Sequence, residues 1–353
     1  MAAHPIQKEG GRSPQMSLFD EKPSETPPET PAPDPSRETP REESLDELSS
    51  RVVVHPAESA APAVPIEVRF AEAVPPPANA FLPEDLRISW SWLHLLFFGL
   101  FAFASILLIQ LGLIVYFAAG RHLNQQEIEH LFQNRPDVAV GSNVLWFLLI
   151  FLFLYITIAV LESRPFWPTL GWRKLGTTNP DAPSSPWPYL GGGAALAIGV
   201  ALLSSKIKTP ENLPIQDLFK SRTGALLLMG MAVFIAPLVE ETVFRGYLYP
   251  LFASTGARLA KVYGAGAAEA VRTGTRIGIV LTGILFGFLH GAQLGWTWAL
   301  VAVLSTVGVV FTWARARVGS VYASYFLHLG YNSFIAASAI FATRGFTQMP
   351  PHP

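Results

Sequence analysis

Cysteine is absent from all 353 residues. Disulfides, thiolate metal sites, a thiol nucleophile and lipidated cysteines are therefore excluded. Charge is scarce too: Asp, Glu, Lys and Arg make up 14% of the chain, against about a quarter in a soluble globular domain. No continuous basic stripe is present, which argues against a nucleic-acid partner. The sequence has no H-E-x-x-H zinc motif and no internal repeat of the kind that marks many transporters. The N-terminus has no apolar core of the kind a cleaved secretory signal needs. What the chain has instead is apolar residues, at 50% of the total, and a mean hydropathy of +0.33.

The near-neutral net charge of −1 hides a division. Residues 1–86 carry 16 acidic against 7 basic residues and 16 of the 30 prolines. Such a segment buries too little apolar surface to offset the entropy of ordering it, so a disordered acidic tail is expected. Residues 87–345 carry recurrent uncharged stretches, each long enough to cross a hydrocarbon core of about 30 Å as a helix. The fold class expected is all-α: a polytopic transmembrane bundle of about seven spans, near 92–119, 142–161, 187–205, 223–249, 276–290, 296–314 and 319–342. Tryptophans 90, 92, 167, 172, 187, 296 and 313 fall near the span ends, as interfacial anchors would. Small residues one turn apart, Gly191–Gly193 with Gly199 and Gly283 with Gly287 and Gly291, would let helix backbones approach closely. Basic residues outnumber ten to seven on the side that places the N-terminal tail in the cytoplasm. In a bacterium this would be a protein of the inner (plasma) membrane.

Five ionisable residues lie inside the apolar C-terminal stretches: Glu240, Glu241, Arg245, His290 and His328. A charged group at the centre of a bilayer costs about 2.5–3.5 kcal/mol even on the translocon scale, so such residues are usually buried against protein and used. Glu241 and Arg245 are four apart and can pair on one helix face. Glu240 is rotated away and has no partner in its own helix, which makes it the better candidate for chemistry. Pro237 lies three residues earlier and removes a backbone hydrogen bond, with the Val233 carbonyl the one expected to be freed. His328 and Asn332 share a face and can present two donors to a cavity.

These residues fall into three motifs: Glu240-Glu241-Thr242-Val243-Phe244-Arg245 (E-E-x-x-x-R), Phe286–His290 (F-x-x-x-H) and His328–Asn332 (H-x-x-x-N). In that order, on successive apolar helices, they resemble the CPBP family (CAAX protease and bacteriocin-processing, or Abi), intramembrane endopeptidases related to the type II CAAX prenyl endopeptidase. The resemblance covers about residues 187–342, with Leu170-Gly171-Trp172-Arg173 as a weaker upstream echo. It implies that Glu240 and His290 activate water and that His328 and Asn332 hold the oxyanion. Glu241 and Arg245 would support the helix and orient Glu240, with Phe286 as a further supporting residue. A buried carboxylate is a stronger base, and two preplaced donors stabilise a tetrahedral intermediate.

No cofactor is favoured on this reading. The alternative on the same residues is a zinc peptidase, with Glu240, His290 and His328 as ligands and one open position. Two further alternatives are a non-catalytic immunity or regulatory scaffold and a proton-coupled transporter. The expected partners are membrane lipid and a membrane-associated protein or peptide, for which a prenylated CAAX protein is one option.

Overall fold

The computed structural model describes residues 79–121, 127, 135–207 and 221–347. The disorder expected of the tail before residue 79 lies outside the described residues. The chain divides into two units, residues 1–73 and 74–353, and every described residue belongs to the second.

Every regular element among the described residues is helical, as the length of the uncharged stretches requires. A single 3-10 turn, Glu84–Leu86, precedes α1 (Trp92–Arg121). Then come α2 (Pro136–Tyr155), prolonged by a π-helical stretch Ile156–Leu161, the short α3 (Phe166–Thr169) and α4 (Trp187–Ser204). A continuous helix of 41 residues, α5 (Arg222–Val262), comes next. The chain ends in α6 (Ala267–Leu289), α7 (Trp298–Val318) and α8 (Val321–Ala342). Gly291–Gly295 turns between α6 and α7, as expected.

By length and hydropathy six of these helices can cross a membrane: α1, α2, α4, α5, α6 and α7. The protein is an integral membrane protein. The seventh span expected, α8, has 22 residues but dilutes its apolar character with His328, Asn332, tyrosines and serines. The α5 span also runs on to Val262, well past the expected end near residue 249, because nothing between Tyr249 and Val262 breaks the helix after Pro250 at its first turn.

α6 lies along the C-terminal part of α5 and along α7, while α8 pairs with α4. Both contacts depend on missing side chains. A Cβ at Gly193 would come within 2.0 Å of the Leu327 carbonyl oxygen, and one at Gly287 within 2.2 Å of the Ser305 hydroxyl. Gly191 and Gly199, by contrast, face open space. The tryptophans also divide. Trp187, Trp296 and Trp313 are exposed, whereas Trp90 and Trp172 are core residues. Trp90 stacks on Tyr247 and donates to its carbonyl at 3.1 Å.

Residues 79–86, placed by composition at the end of the tail, pack on the body. Leu82 and Leu86 are buried against Tyr249, Ala253 and Ala257. Asp85 pairs with Arg315 and Glu84 with Arg173, each at 3.0 Å. Acidic composition reported the exposed charges here but not the two leucines between them.

Candidate active site

α5 carries the first motif, and its backbone departs from the α-helix on both sides of it. Met231–Ile235 and Glu241–Leu248 are π-helical, flanking a short α turn, Ala236–Glu240. Such wide turns are rare and concentrate at functional sites. Pro237 explains the first. The Ala236 N–H reaches back five residues to Met231 O, so the next bond of that ladder would run from residue 237 to Ala232 O. Pro237 has no N–H to give. On that ladder the carbonyl left without a donor is that of Ala232, where an α ladder would leave that of Val233, and it accepts from Asn332 Nδ2 at 2.7 Å. A buried backbone carbonyl needs a partner, and α8 supplies it.

Glu241 and Arg245 pair as expected, with Nη1 to Oε1 at 2.9 Å and neither side chain exposed. Arg245 is further held by α7. Its Nη2 donates to Gly308 O at 3.0 Å and its Nε to Thr312 Oγ1 at 3.2 Å. The guanidinium lies 4.5 Å from the Phe286 ring centroid and 5.3 Å from that of Phe311. Planar cations stack favourably on aromatic faces, the more so when desolvated. Phe286, itself buried, also sits edge-on to His328. One aromatic ring thus packs between the motif arginine and the two histidines.

Each histidine is pinned through Nδ1. His328 Nδ1 donates to Glu241 Oε1 at 2.9 Å, and His290 Nδ1 to Phe286 O at 2.7 Å. Neither acceptor has a proton to give, so Nδ1 carries the hydrogen in both rings. Both Nε2 atoms then face Glu240, His290 at 3.8 Å from Oε1 and His328 at 3.9 Å from Oε2. These distances are too long for direct hydrogen bonds. They leave room for a small molecule between the groups. Glu240, His290, His328 and Asn332 all line one cavity of about 510 Å³, together with Asn143 of α2 and Gln293 of the α6–α7 turn.

The structure places five of the seven residues singled out in the sequence, Glu240, Phe286, His290, His328 and Asn332, on this cavity, and buries the other two, Glu241 and Arg245, as a pair behind it. Sequence reasoning missed Gly308 and Thr312, the Ala232 carbonyl, Phe311, and the rim amides Asn143 and Gln293. No motif spacing points to them, because all but Ala232 lie on other helices or on a turn. Pro237 was the usable signal for Ala232, once the ladder is read as π rather than α. Among the described residues no group of three or more His, Cys, Asp or Glu side chains is placed to hold a metal ion. Glu240, His290 and His328 are of the donor types that zinc accepts, with Glu240 at 3.8 Å from His290 and 3.9 Å from His328.

A polytopic helical membrane protein with a carboxylate, two histidines and an asparagine lining one cavity is the class defined by this geometry. Residues 222–334 match the family model of the type II CAAX prenyl endopeptidase Rce1-like proteins. That match spans 113 of the 353 residues, from the start of α5 into α8, and includes all three motifs. It names the group of CAAX proteases that the motifs resemble. No curated protein and no solved structure matches the chain.

Proposed function

We propose that this protein is an intramembrane endopeptidase that hydrolyses a peptide bond of a membrane-associated substrate, with Glu240 as general base. The observation that carries this reading is the convergence of the Glu240 carboxylate with two histidine Nε2 atoms in one cavity. A water placed about 2.8 Å from Glu240 Oε1 and His290 Nε2 donates one hydrogen to each. Its lone pair is then free to attack a carbonyl. Glu240 takes the proton as the C–O bond forms and returns it to the leaving amine.

Asn332 spends one Nδ2 hydrogen on Ala232 O and keeps a second for the oxyanion. His328 is a donor to the oxyanion only when its ring carries both protons, because Nδ1–H is committed to Glu241. Glu241 is then its counter-ion, and Arg245 holds Glu241 in place. The role of the E-x-x-x-R pair is thus to orient His328 across the α5–α8 contact rather than to orient Glu240. The proton moves only between water, Glu240 and the leaving amine. Residues 187–342 form the catalytic core on this reading, residues 79–345 the membrane domain with the packed segment that precedes it, and the residues before 79 an accessory tail on the cytoplasmic side. In a bacterial cell the protein would sit in the inner membrane. A prenylated CAAX protein is one substrate that the family match favours.

The test is comparative proteomics of membranes carrying the wild-type protein or Glu240→Gln. One membrane polypeptide should persist uncut only with the variant. Identical peptide profiles would remove the endopeptidase reading.

A further inference from the structure

Arg315 has no part in the chemistry above, yet it is almost as deeply buried as Arg245. It lies in the last turn of α7, is 1% exposed, and pairs through Nη1 with Asp85 at 3.0 Å. Its guanidinium lies 5.3 Å from the Tyr249 ring centroid. Its Nε has no hydrogen-bond partner. A buried guanidinium N–H without an acceptor is costly.

Arg315 lines a cavity of about 490 Å³ that is separate from the catalytic one. Arg87, Arg164 and Arg173 line it as well, against two carboxylates, Glu84 and Asp85, which gives its wall a net charge of +2. Glu162, 3.9 Å from Arg164 and accepting from the Ser89 hydroxyl, lowers this to +1. The charges are not self-cancelling. Arg87 spends its donors on backbone, Nε on Leu82 O and Nη2 on Ala80 O, so its positive charge has no carboxylate partner there. The wall is assembled from residues beside the start of α1 (Trp92), the end of the α2 extension (Leu161) and the end of α7 (Val318). These are span ends, the level at which a bilayer presents its headgroups.

The Leu170-Gly171-Trp172-Arg173 segment is explained by the same cavity. Gly171 adopts φ +79°, and a Cβ there would come within 2.8 Å of Arg315 Nη2. Its carbonyl accepts from Val321 N at 2.9 Å, tying the turn to the start of α8. Only glycine both tolerates this backbone and leaves the guanidinium room.

We infer that this cavity binds a phosphate group, supplied by the headgroup of an anionic phospholipid. Arginine forks suit phosphate oxygens, an excess of positive charge attracts them, and basic pockets between membrane helices are where such headgroups lodge.

The test uses the full chain in detergent, with native mass spectrometry of bound phosphatidylglycerol against phosphatidylcholine and a parallel arm with inorganic phosphate. The variant is the double substitution Arg164→Gln/Arg173→Gln, because Arg315→Gln would strand Asp85. Thermal unfolding of the variant checks that it is folded. Phosphatidylglycerol should be retained over phosphatidylcholine, and the double variant should lower that retention about tenfold. Arginine-dependent binding of inorganic phosphate with no preference between the lipids would keep the phosphate site and change its source. Retention of phosphatidylglycerol that is indifferent to the arginines, or binding of neither probe, would overturn the inference.

Discussion

α1 and α2 differ from α5, α6 and α7 in a way that orders the molecule. The first two have the highest mean hydropathies, 2.4 and 2.9, yet only 11% and 17% of their most apolar windows is buried inside the protein. The other three are less apolar, at 1.2 to 1.9, and 39% of each window is buried. Lipid covers the most apolar helices, and protein covers those that carry charge. In water the relation would be reversed. In a bilayer, hydrocarbon is as good a solvent for leucine as another leucine is, so there is no drive to bury it. Groups that lipid cannot solvate, such as Glu241 and Arg245, are the ones that must be buried in protein.

Substitutions that strike one set of helices and spare the other put this contrast at risk. Glu240→Gln should have the largest effect, with hydrolysis of a membrane peptide falling by roughly the 10²–10⁴-fold that a general base contributes while the helix content by circular dichroism stays unchanged. Arg245→Ala comes next and should act on folding. It leaves Glu241 and His328 without their anchor at full burial, at a cost of about 3–5 kcal/mol, read as a lower unfolding temperature in detergent. Asn332→Ala should lose turnover about 10²–10³-fold, the usual cost of one oxyanion donor, with substrate capture by the inactive protein retained. Removal of residues 1–73 should leave peptide turnover unchanged, since the motifs and their partners all lie in the second unit. A truncation that also removes Leu82 and Leu86 should be less stable. Smallest of all, Leu148→Ala on the lipid-facing side of α2, where Leu148 is 61% exposed, should change stability by no more than about 0.5 kcal/mol. A large loss from Leu148→Ala would mean that α2 packs on another protein there, and the contrast between the two sets of helices would fall.

Much of this was legible in the sequence because membrane helices announce themselves by length and because i, i+4 spacing fixes one helix face. The Glu241–Arg245 pair and the shared face of His328 and Asn332 followed from that spacing alone. What stayed hidden, beyond the close approach at Gly193 and Gly287, was which side chains partner one another between helices. Nothing in the spacing says that Glu241 accepts from His328 of α8, or that Gly308 and Thr312 of α7 complete the shell of Arg245. The exposure of individual tryptophans was hidden for the same reason. Trp90 and Trp172 sit near span ends like the others, but both turn inward, Trp90 onto Tyr247 and Trp172 toward Thr242, whose hydroxyl accepts from its indole at 3.2 Å. The residues around 79–86 were misplaced by composition because two buried leucines weigh little against their acidic and proline neighbours.

The chemistry proposed for the cavity turns on Glu240, and not a bound metal, activating the water. The decisive measurement is turnover of a fluorogenic membrane peptide by the purified full chain after exhaustive chelation, with zinc content determined on the same sample and Glu240→Gln run beside it. Chelated wild type should keep its turnover with far less than one zinc per chain, and the variant should have none. Zinc near one per chain, with activity lost on chelation and restored by added zinc, would hand the activation of water to the metal and refute the role given to Glu240.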